Sequence, residues 1–142
     1  MIVRILGSLL AALGFGVLFN LKQHKLIYAC LGGGIGALVH EFTMYLGFSS
    51  VLSLLVASMV ITMYSEIMAR KLKTPVTSFM VVALILLVPG GGMYYTMLEV
   101  ILNRTDNAII IGVDTLAKAG ALALGTFVST TIRKLLFFRG HQ

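Results

Sequence analysis

The sequence predicts an all-α integral membrane protein, and three observations carry that prediction. Of its 142 residues, 58% are hydrophobic and 11% are charged, and the mean hydropathy is +1.00. A soluble domain carries roughly 25% charged residues, so water cannot cover this exterior and lipid must. Five apolar blocks reach the ~20 residues, with a range of about 17–25, that a membrane helix needs. The Lys and Arg residues gather in alternate gaps. Lys22 and Lys25 lie in the first, Arg70, Lys71 and Lys73 in the third, and Arg133, Lys134 and Arg139 after the last block. Cytoplasmic loops are enriched in Lys and Arg, so the C-terminus is expected inside and the N-terminus outside. Arg4 and Arg104 fall on the outer side, and Lys118 lies within a span.

The spans are expected near residues 2–19, 26–45, 48–68, 74–91 and 108–132, in one domain covering 1–142. No small-x-small cleavage site follows the first block, so it reads as a retained span. Gly7/Ala11 and Ala12/Gly16 give it small-residue faces. The second block carries Gly32-Gly33-Gly34-Ile35-Gly36-Ala37, suited to close helix approach. Packing within the chain and packing against a partner or a second copy are both open. Cys30 reads as a small core hydrophobe. His40-Glu41 ends the block, and Glu41–Gly47 is expected to form an outer turn. The third block ends near Glu66, four residues before Arg70. That spacing suits an i,i+4 pair at the interface, or a gate residue at the inner mouth.

The fourth block is interrupted. Thr74 to Val88 reads as helix, Pro89-Gly90-Gly91-Gly92 should break it, and 93–102 reads as a half-helix. Ten residues rise roughly 15 Å, about half of the ~30 Å hydrocarbon core. A full sixth crossing would put Arg133-Lys134 outside, so a re-entrant or interfacial segment is expected. Irregular backbone at membrane depth is tolerated only where protein or a water-filled cavity satisfies it. Gly92-Met93 would then present free amides and a positive dipole end, close to Tyr94, Tyr95, Thr96 and Glu99. The competing reading is a surface helix with Glu99 in water.

The last block holds Asp114 and Lys118, four apart on one face. Each charge costs ~2.5–3.5 kcal/mol at the bilayer centre on insertion scales. Either they neutralise each other, or they open to bind complementary charges or take up a proton. Other chemistry finds no support. His40-Glu41 lacks the H-E-x-x-H spacing, and the glycine runs are not followed by Lys-Ser/Thr. The basic residues are split between loops, unlike a nucleic-acid face. No catalytic constellation, metal or cofactor is expected.

Gly14-Phe15-Gly16-Val17-Leu18-Phe19-Asn20 resembles the Gly-x-x-x-x-Phe-Asn signature of the threonine/serine exporter family. Further matches are the Gly-rich second span, Ser65-Glu66-Ile67-Met68-Ala69-Arg70, Thr74-Pro75-Val76-Thr77, and Val88-Pro89-Gly90-Gly91-Gly92-Met93-Tyr94-Tyr95-Thr96-Met97. The chain is most similar to the small membrane subunit of the split, two-component form. Lys118 departs from the pattern, where an uncharged residue is usual. The resemblance implies a subunit of an exporter driven by the proton motive force in the bacterial cytoplasmic membrane. Its substrates would be threonine and serine or small dicarboxylates, and its partner a larger subunit. The resemblance assigns no substrate contacts; on the residues' own chemistry, Pro89–Gly92 would supply backbone groups near the substrate, Asp114 and Lys118 the charge or proton site, and Glu66 an inner gate. Two other readings stay open: a structural subunit that never touches substrate, and a self-assembling homo-oligomeric channel.

Overall fold

The computed structural model describes residues 2–21 and 23–138, with side chains described for 6–21 and 24–135. Lys22, Arg139 and the side chain of Arg4 lie outside the described residues. Within them the chain is helical: α1 (Ile2–Leu18), α2 (Gln23–Tyr45), α3 (Ser50–Lys71), α4 (Val76–Ile85), α5 (Gly90–Ile101) and α6 (Thr105–Phe138). Among the described residues three helices, α2, α3 and α6, are long and apolar enough to cross a membrane, and the bent α4–α5 pair has the length and composition of a fourth, as a broken span or a re-entrant loop. The 17-residue α1 rises about 26 Å. This is the all-α membrane architecture that the apolar blocks predict.

The reversals share one device. Asn20, Gly47, Lys73 and Asn103 follow α1, α2, α3 and α5, and each has a positive φ. After each, the next amide reaches back across the final turn. Leu21 N donates to Gly16 O (3.0 Å), Phe48 N to Thr43 O (3.2 Å), Thr74 N to Ala69 O (3.0 Å) and Arg104 N to Glu99 O (2.9 Å). These 6→1 closures are Schellman caps. They satisfy terminal carbonyls without long loops, which suits turns at a membrane surface. Ser49 caps the start of α3, its hydroxyl accepting from Leu52 N.

Two helices depart from their expected bounds. The fourth block stops at Ile85, and the glycines do not form the break. The bend, 51°, lies at Leu86–Pro89, and Gly90–Gly92 are the first turn of α5. A proline at a helix start sacrifices no bond, since the first amides have no intrahelical partner. Gly92, the last of the three, packs against Thr115 of α6. The last helix has 34 residues and a length of about 51 Å, against the expected 108–132. It continues through Arg133-Lys134 because Arg133 finds a partner on α3.

Helix directions follow from the contacts. A side chain at Gly36 would collide with Ile61 of α3, and one at Gly33 with Ala12 of α1 and Leu86 after α4. The glycine patch of α2 therefore serves packing inside the chain. α5 and α6 form an antiparallel hairpin, with Gly92 against Thr115 and Thr96 against Gly112. α3 and α6 run parallel, Gly125 meeting Ser58 and Arg133 meeting Glu66. The ends bearing Lys25, Arg70–Lys73 and Arg133–Lys134 thus gather at one basic end of the bundle. Two apolar clusters fill the interior. Ala12, Ala29, Cys30, Ala69, Phe79 and Val82 lie toward the basic end, and Leu54, Ala57, Ile61, Ala83, Leu87 and Leu122 further along.

A Cβ at Gly125 would sit 2.6 Å from the Leu55 carbonyl oxygen, whereas one at Gly120 meets nothing within 4 Å. Gly125→Ala is therefore expected to destabilise the protein by about 1–3 kcal/mol. Gly120→Ala is expected to be neutral or stabilising by up to about 1 kcal/mol. Thermal melts of the purified protein in detergent check both.

Candidate functional site

Where α4 gives way to α5, the bundle opens. A cleft of 370 Å³ lies between α2 and α6, two helices whose backbones stay apart among the described residues. Its α2 wall is Ala37, His40 and Glu41, and its α6 wall is Lys118. The floor is Ser50 and Leu54 of α3, with Ser8 of α1 alongside. The α4–α5 connection contributes Leu86, Leu87, Pro89 and Gly92. The volume lies within the ~300–1,000 Å³ of small-molecule sites. It is reached from the end of the bundle opposite the basic one, where α2 ends and α3 begins.

The walls differ in charge. Lys118 Nζ donates to Asp114 Oδ2 at 2.5 Å, joining neighbours on successive turns of α6. The pair expected from the spacing therefore forms, but its members face differently. Lys118 is 25% exposed and lines the cleft, while Asp114 is 53% exposed and does not. The amino end of α5 stands on the same side as Lys118, since Gly92 packs on Thr115, three residues before it. Gly90 N donates to Val88 O (2.7 Å) and Met93 N to Pro89 O (3.2 Å). The first-turn amides of Gly91 and Gly92 have no intrahelical acceptor, and the dipole adds positive potential there. Across the cleft stands the Glu41 carboxylate.

The remaining sequence candidates lie elsewhere. Gly90 and Gly91 border open space. Tyr94 and Tyr95 are exposed and stack edge-on at 5.4 Å. Thr96 donates to Gly92 O at 2.7 Å and packs on Gly112. Glu99 closes the α5–α6 hairpin: Asn107 Nδ2 donates to its carboxylate at 3.3 Å, and Arg104 lies 3.8 Å away. None of these six lines the cleft.

Glu66 marks a second polar place, at the basic end. It is 2% exposed, and its Oε2 pairs with Nε of Arg133 on α6. The pair ends a polar seam of period four on both helices, with Ser58, Thr62 and Glu66 on α3 facing Gly125, Ser129 and Arg133 on α6. Thr62 donates to Ser58 O at 2.8 Å, and Ser129 donates across the seam to Met59 O at 3.3 Å. Sequence spacing points to Arg70 for Glu66 and carries no sign of Arg133, which is distant in the chain. It also missed Ser8, His40, Glu41 and Ser50. His40 and Glu41 are not in a turn but in the last helical turns of α2, which ends at Tyr45. One signal could have found them: Glu41 stands four residues after Ala37, on the inward face of the glycine patch.

A family model described as threonine/serine exporter, ThrE, matches residues 4–132. No curated protein and no solved structure matches the chain.

Removing Arg133 would strand the Glu66 carboxylate in the bundle. A broken, fully buried pair costs about 3–5 kcal/mol. Arg133 is 29% exposed, so Arg133→Ala is expected to cost less, about 2–3 kcal/mol. The double change Glu66→Leu with Arg133→Leu should recover most of it. Melting temperatures of the three variants in detergent test the pair.

Proposed function

The chain belongs to the threonine/serine exporter family, and on that premise we propose that its cleft is part of the path by which substrate leaves the cell. The chain would act with a larger partner subunit in the bacterial cytoplasmic membrane, driven by the proton motive force. Its substrates would be threonine and serine or small dicarboxylates. The N-terminus would face outside and the C-terminus inside, the basic end lying in the cytoplasm as loop charges direct.

One observation carries this reading: a lysine faces a carboxylate across a cleft at the break of a membrane helix. Charges within a span are costly unless they serve a polar cavity, and broken helices of transporters aim their amino ends at anionic substrate groups. Lys118 and the start of α5 would hold the substrate carboxylate. Asp114 would keep Lys118 paired while the cleft is empty, and take up a proton as the pair opens. Glu66–Arg133 would close the cytoplasmic end of the α3–α6 seam. This state, with a cleft away from the basic end and a closed pair at it, suits an outward-facing carrier.

A scaffold role has one observation on its side. None of the residues of α5 is buried, and among the described helices α5 packs along α6 alone, which leaves an apolar surface that a partner or lipid would cover. The two readings part at Lys118. A charge-assisted contact is worth ~1.5–3 kcal/mol, so Lys118→Ala is expected to lower serine and threonine efflux at least about tenfold at equal membrane abundance. Asp114→Asn should flatten the pH dependence of efflux. Unchanged rates and pH profile in both variants would favour the scaffold.

A further inference from the structure

Toward the basic end, the seam between α3 and α6 opens on its outer side into a groove of 100 Å³. Its walls are Met59, Met63 and Ile67 of α3 and Ile132 of α6, with the Glu66–Arg133 pair at its back. Met63, Ile67 and Ile132 are exposed, and on helices of spanning length such a face meets lipid. Met63, Ile67 and Lys71 recur every four residues, so one helix face leads out of the groove onto Lys71, about 7.5 Å along the axis beyond Glu66. Glu66 holds Arg133 through Nε. The other donors of the guanidinium lie on its Nη groups, which have no carboxylate partner among the described residues. Lys71, Lys73 and Lys134 are exposed, and none of them pairs with a carboxylate among the described residues. Glu66 is the one acid facing Lys25, Arg70, Lys71, Lys73, Arg133 and Lys134 at this end.

We infer that this groove is a binding site for an anionic phospholipid, one acyl chain lying along Met59, Met63, Ile67 and Ile132 and the headgroup phosphate resting between Lys71 and Arg133. The two halves of the site demand the two halves of one molecule. The groove is apolar and narrow, too small for a helix of about 10–12 Å diameter, and it suits a slender hydrocarbon chain. The charge beyond it is strongly positive, and basic pockets between membrane helices receive anionic headgroups. Arg133 lies deeper than Lys71, and its long stem lets the guanidinium reach up toward the headgroup level. Its planar fork suits phosphate oxygens, while Glu66 fixes the opposite edge. A zwitterionic lipid fills the groove equally well but brings no net charge to the cations. The site stands apart from the cleft, at the other end of the bundle, and does not depend on the cleft being the export path.

The test titrates lipid into the purified protein in detergent and reads the melting temperature, which rises with a ligand that binds the folded state. Phosphatidylglycerol is compared with phosphatidylcholine of the same chains and with glycerol phosphate, which has the charge without the chains. Phosphatidylglycerol is expected to stabilise the protein at concentrations where the other two do not. Lys71→Gln is expected to weaken its apparent affinity about fivefold, the worth of one cation near an anionic headgroup. Ile67→Trp, which fills the groove from an exposed position, should abolish the preference for phosphatidylglycerol. Lys25→Gln, at the same end but on α2, should leave it unchanged. An equal response to phosphatidylcholine would make the groove ordinary lipid cover, and a response to glycerol phosphate alone would make it a simple anion site. Equal losses in Lys25→Gln and Lys71→Gln would reduce the effect to diffuse charge. Loss of a copurifying protein in Ile67→Trp, with the lipid preference intact, would assign the groove to that protein. Each of these four results would overturn the proposal.

Discussion

Pro89 has no amide to offer the carbonyl of Ile85, and its ring crowds that carbonyl. A helix that starts at Val76 therefore ends at Ile85, well short of a bilayer's thickness. Lipid offers no hydrogen bonds to freed backbone groups, so the gap must lie against protein or water. Local turns satisfy part of it: Leu87 and Val88 both donate to Leu84 O, at 2.9 and 3.2 Å. The rest of the arrangement follows. α5 restarts at a 51° bend, leans away from α2 and, among the described helices, packs along α6 alone. The space left between α2 and α6 is the cleft.

The far end of the molecule obeys the opposite rule. There α3 and α6 close tightly, because Gly125 lets the Leu55 carbonyl approach and Ser58 and Ser129 bond to backbone oxygens. The seam is polar, yet its hydroxyls donate to carbonyls and its two charges meet as a pair. Such a seam is weaker than a well-packed apolar one and more exacting about register. A carrier needs a boundary of this sort at the end opposite its open cleft, since it must separate and re-form in one geometry.

Much of this fold was legible in the residues. Apolar blocks of spanning length, Pro89 and the alternating basic gaps suffice for the helices, the break and the basic end. The length of α6 was not, because Arg133-Lys134 resembles a loop until Glu66 is seen beside it. The same holds for the cleft. Asp114 and Lys118 are visible as a pair by spacing, but that one faces the cleft and the other does not depends on where α5 lies. His40 and Glu41 resemble the polar end of a span. They become a wall only because α2 and α6 are held apart, a fact spread over four helices and no single motif. The break was expected across Pro89–Gly92, the proline and three glycines together. It falls at Leu86–Pro89, where the proline makes a hydrogen bond impossible, and the glycines start the next helix.

The central claim is that the cleft is a water-filled place where substrate rests. A cysteine at Ala37, on its α2 wall, reports on this directly once buried Cys30 is replaced by alanine. Cells expressing the variant are treated with a charged, membrane-impermeant thiol reagent, with and without serine. The account predicts labelling from the outer face and slower labelling when serine is present. Ala37→Cys that transports normally but resists the reagent from that face, or reacts at the same rate with serine, would contradict it.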